Sequence, residues 1–176
     1  MFKKSSACLV MVILIMGLFA ATAVADTGTP FSYEVGQTFI VDGKIFKMVD
    51  KNMRYAVATD VVMTTDWGKA DTYARGFAQS YSYILASGLP GYADYSDPAF
   101  RSNVGNLTSS WEWTSTPYAS AGYFWIGSSS GAGSGDSGAY SRGVRPALYL
   151  KSGLFKSLNG CLYEPLPSTF GDLIIQ

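Results

Sequence analysis

From Thr38 onward the chain reads as short apolar runs separated by turn chemistry. Thr38-Phe39-Ile40-Val41 and Lys44-Ile45-Phe46-Lys47-Met48-Val49 flank Asp42-Gly43. That dipeptide predicts a tight hairpin, because glycine takes positive φ at no steric cost and aspartate tolerates it. Asp50–Met53 reads as a further turn and Arg54–Met63 as a third strand, giving an N-terminal meander. Helical spacing follows. Ala70, Tyr73, Ala74, Phe77, Tyr81, Ile84 and Leu85 form one apolar face. Thr65 or Asp66 can cap its start, and Gly88 and Pro90 can end it. Gly76 weakens the middle by about 1 kcal/mol relative to alanine. The predicted helix covers about residues 66–87.

Gly88–Leu107, with Pro90, Gly91, Asp94, Asp97 and Pro98, reads as loop. Trp111–Thr116 and Gly122–Gly127 are short strand patterns, and the Gly/Ser run Ser128–Gly138 reads as a long, flexible hairpin loop. Val144–Leu150 is the last strand pattern, with Pro146 marking an edge or an irregular start because it has no N–H to donate. Residues 156–176 form a C-terminal tail with no assigned structure. No internal repeat or heptad is present. The expected fold class is α+β: an antiparallel, β-rich single domain with one main helix and long loops.

The N-terminus changes the setting. Lys3 and Lys4 precede an uncharged apolar run from Ala7 to Ala20, and Ala23-Val24-Ala25 has the small-x-small form of a signal-peptidase site. Residues 1–25 are therefore expected to be a cleaved signal peptide, with 26–32 a short linker and 33–155 the globular domain. Cys8 opens the apolar run instead of following it, which argues against a lipid anchor. After cleavage no stretch approaches the roughly 20 apolar residues of a membrane span. About 150 residues remain, enough for one domain with its own core.

The full chain has 13 basic and 13 acidic residues, so losing Lys3 and Lys4 leaves it slightly acidic. There is no basic stripe to neutralise phosphates, which argues against nucleic acid. There is no histidine, so the commonest general base and the commonest zinc ligand are missing. Cys161 is the single cysteine left after cleavage and is read as a buried thiol.

Arg142-Gly143-Val144-Arg145-Pro146-Ala147-Leu148-Tyr149-Leu150 resembles the closing segment of the family known as domain of unknown function 6273, with Tyr149 where those proteins often place Trp. The sharp part of the match is Gly143, Val144, Arg145, Pro146, Ala147 and Leu148. Trp111-Glu112-Trp113-Thr114-Ser115-Thr116-Pro117 is similar to its aromatic–Ser–Pro segment, and Val35-Gly36 with the Asp42-Gly43 hairpin to its opening. The resemblance implies a mixed domain distantly like C-type-lectin-like and formylglycine-generating folds. It implies no activity, and the copper-binding cysteine pair of the latter enzymes has no counterpart here.

Arg145 is read as structural, in an ion pair or bonded to loop carbonyls, since guanidinium suits forked bonding. Ligand contacts are expected from the aromatic group Trp111, Trp113, Tyr123 and Trp125, with Arg142. Strand periodicity puts Trp111 and Trp113 on one face of their strand and Tyr123 and Trp125 on one face of theirs; one face of each strand must be core, so at least one pair is expected to be structural, and an exposed pair can stack on sugars. Asp94 and Asp97 are the residues weighed for calcium, but no EF-hand or Asp-rich repeat is present, and neither metal nor cofactor is assigned. The expected function is a secreted or surface-exposed, non-catalytic module binding a polysaccharide or a surface protein. The alternatives are a structural component of the cell envelope and a carboxylate-dependent hydrolase.

Overall fold

The computed structural model describes residues 28–105, 107, 111–118, 122–127 and 130–165, without the side chains of 122–127, 132, 134 and 136. The signal-peptide reading of 1–25 and the last part of the tail lie outside the described residues. The strands are β1 (Thr29–Pro30), β2 (Thr38–Val41), β3 (Lys44–Asp50), β4 (Tyr55–Ala58), β5 (Met63–Thr65), β6 (Ile84–Gly88), β7 (Trp111–Tyr118), β8 (Gly122–Gly127), β9 (Ala132–Asp136), β10 (Arg142–Val144), β11 (Ala147–Leu150), β12 (Phe155–Lys156) and β13 (Leu162–Tyr163). The helices are α1 (Trp67–Ser80), α2 (Tyr92–Ser96) and α3 (Pro98–Val104). The fold is α+β and β-rich, as the patterning predicts.

Two five-stranded sheets, ordered β2-β3-β4-β11-β6 and β5-β10-β7-β8-β9, carry the domain. The pairings are antiparallel except β10 with β7. The β2–β3 hairpin turns at Asp42 and Gly43, both at positive φ (51° and 69°), as Asp-Gly requires. The strand pattern over Arg54–Met63 divides: β4 stays in the first sheet and β5 joins the second. Val144–Leu150 divides in the same place. β10 pairs with β5 and β11 with β4, so two chain segments cross together from one sheet to the other. Val62 N–H to Val144 O and Ala58 N–H to Pro146 O, both 2.9 Å, tie the crossing. Pro146 sits where only its carbonyl is used.

The helix is shorter than its periodicity predicts. Asp66 caps α1, accepting from Lys69 N at 3.0 Å, and Ala70, Ala74 and Phe77 are its buried residues. It ends at Ser80 because Tyr81 turns extended (φ −124°, ψ 120°). Ile84 and Leu85, which continue the helical spacing, belong to β6, where Ile84 pairs with Leu150 and Leu85 faces solvent. An apolar residue four positions on is buried equally well by the returning strand. The Ser87 hydroxyl, donating to Arg75 O at 3.0 Å, fastens that strand to the helix.

Four further expectations are corrected. Gly88–Leu107 is not simply loop, because it holds α2 and α3. Asp97 caps α3, accepting from Ala99 N at 2.8 Å, with Pro98 in its first turn. The Gly/Ser run contains β9, paired along its length with β8. Glycine permits this close pairing: a Cβ on Gly135 would collide with the Tyr118 ring. The linker and tail also contain structure. β1 pairs with β12 and β12 with β13, and Phe31, Leu154 and Leu162 join the main core around Phe39, Phe46, Phe77 and Leu148. Strands of two residues are too short to show periodicity. Cys161 is half-exposed, not buried, beside a backbone bridge to Ile40.

Candidate ligand-binding groove

The residues that set the site in place meet at the crossing between the sheets. Gly143 lies directly beside Glu112 in the parallel β10–β7 pair, and a Cβ there would approach Glu112 Cγ and Val61 Cγ1 at 3.2 Å. With this close approach, Arg145 reaches Glu112 in a two-pronged bond: Nε to Oε2 and Nη2 to Oε1, each 2.9 Å. Arg145 Nη1 donates to Ala58 O at 2.9 Å, so one guanidinium ties β4, β7 and the crossing segment. Both partners are fully buried. Burial alone would lower the Arg145 pKa, and the Glu112 carboxylate raises it above its usual value. Arg145 is therefore in the structural ion pair weighed for it, with a carbonyl bond as well.

Glu112 Oε2 also accepts from Tyr95 Oη at 2.8 Å. Tyr95 is on α2 and is fully buried, and its phenol pKa stands well above the usual value, first through burial and then through the Glu112 charge. Tyr95 O accepts from Arg101 Nη1 of α3. The ion pair thus anchors both short helices over the first sheet.

Between these helices and the sheet runs a groove of about 410 Å³. One wall is Val49 and Asp50 of β3, Met53 of the following turn, Tyr55 of β4 and Tyr149 of β11. The other is Ala93, Asp94, Asp97, Ala99, Phe100 and Asn103. Tyr55 is the floor, stacked between Tyr149 (centroids 4.7 Å apart, 24°) and Phe100 (6.3 Å, 26°). Its hydroxyl donates to Asp94 Oδ2 at 3.1 Å. Burial first, then Asp94 and Tyr149, push the Tyr55 phenol pKa well up. The Tyr149 phenol, less buried, is raised first by desolvation and then by the charges of Asp94 and Asp50.

The three carboxylates share one arrangement. Asp94 Oδ2 also accepts from Gly91 N at 2.7 Å. Asp97 Oδ1 accepts from Ala99 N, and Asp50 Oδ1 from Asn52 N and Met53 N at 2.8 and 3.1 Å. In each, one oxygen is held by the fold, and the other takes no hydrogen bond from the described residues. Among the described residues no lysine or arginine lines the groove. Among the described residues no group of three acidic or cysteine side chains converges as a metal site. Asp94 and Asp97 share the groove but are held in capping roles.

The predicted contacts lie elsewhere. Trp113 is fully buried and donates its indole N–H to Thr65 O at 2.8 Å, so it is core, not a sugar platform. Trp111 is 43% exposed. The one-face argument fails because Glu112, Trp113 and Thr114 are all buried, with both sides of β7 covered at mid-strand. Arg142 is half-buried, its guanidinium 5.5 Å from the Tyr140 ring centroid. None of these three lines the groove. The side chains of Tyr123 and Trp125 lie outside the described residues.

Asp50, Tyr55, Phe100 and Asn103 were not singled out by the sequence. A readable signal was Asp97-Pro98, a capping residue followed by proline, which marks a helix start that would place Phe100 and Asn103 near the sheet. Among the described residues no helix is long and apolar enough to cross a membrane. No protein-family model matches the chain and no curated protein is significantly similar to it, so the likeness at Gly143–Leu148 rests on those residues themselves.

Proposed function

We propose that the protein is an exported, non-catalytic binding module and that it takes a carbohydrate in the groove between α2–α3 and the first sheet. The observation that carries this reading is the combination at one concave site of the Tyr149 ring with three carboxylates, each keeping one oxygen uncommitted. Sugars are held by such pairings, with an apolar ring face against an aromatic side chain and hydroxyls donating to fixed acceptors. The Asn103 amide, whose Nδ2 donates to Val49 O at 3.5 Å, lines the other wall. The signal sequence supports export.

The test is a nitrogen-15 NMR titration of the purified chain with a panel of soluble oligosaccharides. Saturable shifts are expected at Asp50, Asp94, Asn103 and Tyr149, and Tyr149→Ala should weaken binding by about tenfold or more, in line with a lost stacking contact. Trp111→Ala should leave the titration unchanged. If no saccharide moves the groove resonances, or if Trp111→Ala abolishes binding and Tyr149→Ala does not, the groove assignment is wrong.

A further inference from the structure

We infer that Asn159-Gly160, at the tip of the β12–β13 hairpin, is a self-modification site: the folded chain converts the Asn159 amide to aspartate and isoaspartate through a cyclic imide, and the isoaspartate form releases Ile40 of β2. The site is independent of the groove. The asparagines of the chain are Asn52, Asn103, Asn106 and Asn159, and only Asn159 precedes a glycine. Imide formation needs the amide nitrogen of the next residue to reach the asparagine Cγ. Met53, Val104 and Leu107 each place a side chain beside that nitrogen, whereas Gly160 places none. Asn159 is exposed, and Gly160 stands at φ 89°, in the left-handed region that glycine enters without strain.

The turn also aims donors at the reacting carbonyl. Asn159 Oδ1 accepts from Ser157 Oγ and from Cys161 N, the latter at 3.3 Å. Ser157 is buried, and its Oγ also accepts from Cys161 N at 3.1 Å, which holds the hydroxyl in place. Donors at a carbonyl oxygen draw charge from its carbon and stabilise the oxyanion that forms on attack. Gly160 N bonds to Cγ, the Cγ–Nδ2 bond breaks, and ammonia leaves with the proton that Gly160 N gives up. Water then adds to one or the other imide carbonyl, giving aspartate or isoaspartate. One contact opposes the attack: Gly160 N donates to Ser157 O at 2.9 Å, and that bond must open first. Leu158, one residue before Asn159, is 93% exposed, so water reaches the turn and takes over that bond at small net cost.

The product acts on the sheet edge. Gly160 O accepts from Ile40 N at 2.9 Å, and Cys161 bridges Ile40, which covers part of the outer side of β2. Aspartate keeps the main chain and still offers an oxygen to Ser157 and Cys161. Isoaspartate adds a methylene to the main chain just before Gly160. That insertion moves Gly160 O away from Ile40 and opens a strand edge.

The experiment incubates the full chain at mildly alkaline pH, native and in urea, and follows each asparagine by peptide mass spectrometry after chromatographic separation of the isoaspartate form. Asn159 should convert before the others, and its native rate should exceed its rate in urea, where the donors are dispersed. Ser157→Ala should slow the native reaction by about tenfold, less than the loss of one such donor in a water-excluded site, and leave the rate in urea unchanged. Amide exchange on the isolated isoaspartate form should show Ile40 unprotected with β3–β4 still protected, while Asn159→Asp keeps Ile40 protected. A native rate equal to or below the rate in urea overturns the inference, and this comparison uses the unaltered chain, so it stands even if Ser157→Ala fails to fold. A folded Ser157→Ala chain that reacts as fast as the unaltered one also overturns it, as does an isoaspartate form in which Ile40 stays protected.

Discussion

At the scale of single residues, the buried Arg145–Glu112 pair decides most. Two charges with no solvent exposure are tolerable because every strong direction is used: Glu112 takes both prongs of the guanidinium and the Tyr95 hydroxyl, and Arg145 takes Ala58 O as well. Removing one partner strands the other charge in the interior. Glu112→Ala should therefore cost about 3–5 kcal/mol in urea unfolding. Tyr95→Phe, which deletes one hydrogen bond to a charged acceptor and leaves the ion pair, should cost about 1.5–3 kcal/mol. Equal losses for the two variants would show that the charge pair is not what the site depends on. A structural reading of Arg145, in an ion pair or bonded to carbonyls, was open from the sequence, but its partner was not legible there. Glu112 lies 33 residues away between two tryptophans, with no feature to distinguish it from a surface glutamate.

At the scale of elements, α1 shows how local signals compete. Its start is written in the sequence: Asp66 accepts from Lys69 N and pairs with Lys69 Nζ at 2.8 Å. Asp66→Ala should lower the urea midpoint, and Asp66→Asn, which can still cap, should recover most of it. No change in either variant would mean that tertiary packing alone holds the first turn. The end of α1 is not written there, since Ile84 satisfies a helical stripe and a strand equally well. β9 presents the opposite case. Its composition reads as flexible, yet Gly135 is needed because the Tyr118 ring occupies the space of a side chain. Gly135→Val should uncouple β9 from β8, seen as lost amide protection across that pair and not across β3–β4. Uniform protection would contradict the close approach.

At the scale of the whole molecule, pH dependence follows from which groups are buried. Tyr95 and Tyr55 have folded pKa values raised above their ordinary value near 10. Their contribution to stability is fully present below about pH 10 and is lost as pH rises through the elevated folded values. Asp66 and Glu164 have depressed values, first through hydrogen bonds from Lys69 and Lys151 respectively. Their contribution is present above the usual carboxylate range and is lost as pH falls through the depressed values. Both are surface groups, so salt weakens the acid effect. In an alkaline titration followed by ultraviolet absorbance, most of the 12 tyrosines should ionise while the fold persists. Tyr55 and Tyr95 should ionise only with loss of the far-ultraviolet dichroism. A single reversible class of 12 would contradict their burial.

The sequence by itself determined the β-rich character, the Asp42-Gly43 hairpin, the start of α1 and a structural reading of Arg145. Each depends on a signal within a few residues: alternation, turn chemistry, a cap, or a forked cation beside proline. Only the tertiary structure decided that two strand patterns divide between sheets at the same point, that Trp113 is core, and that Asp50, Asp94 and Asp97 share a groove with Tyr149. Those facts depend on what covers each face and on residues up to about 100 positions apart (Asp50 and Tyr149) meeting across β3, β4 and β11. No periodicity within one segment encodes which distant segment will lie against it.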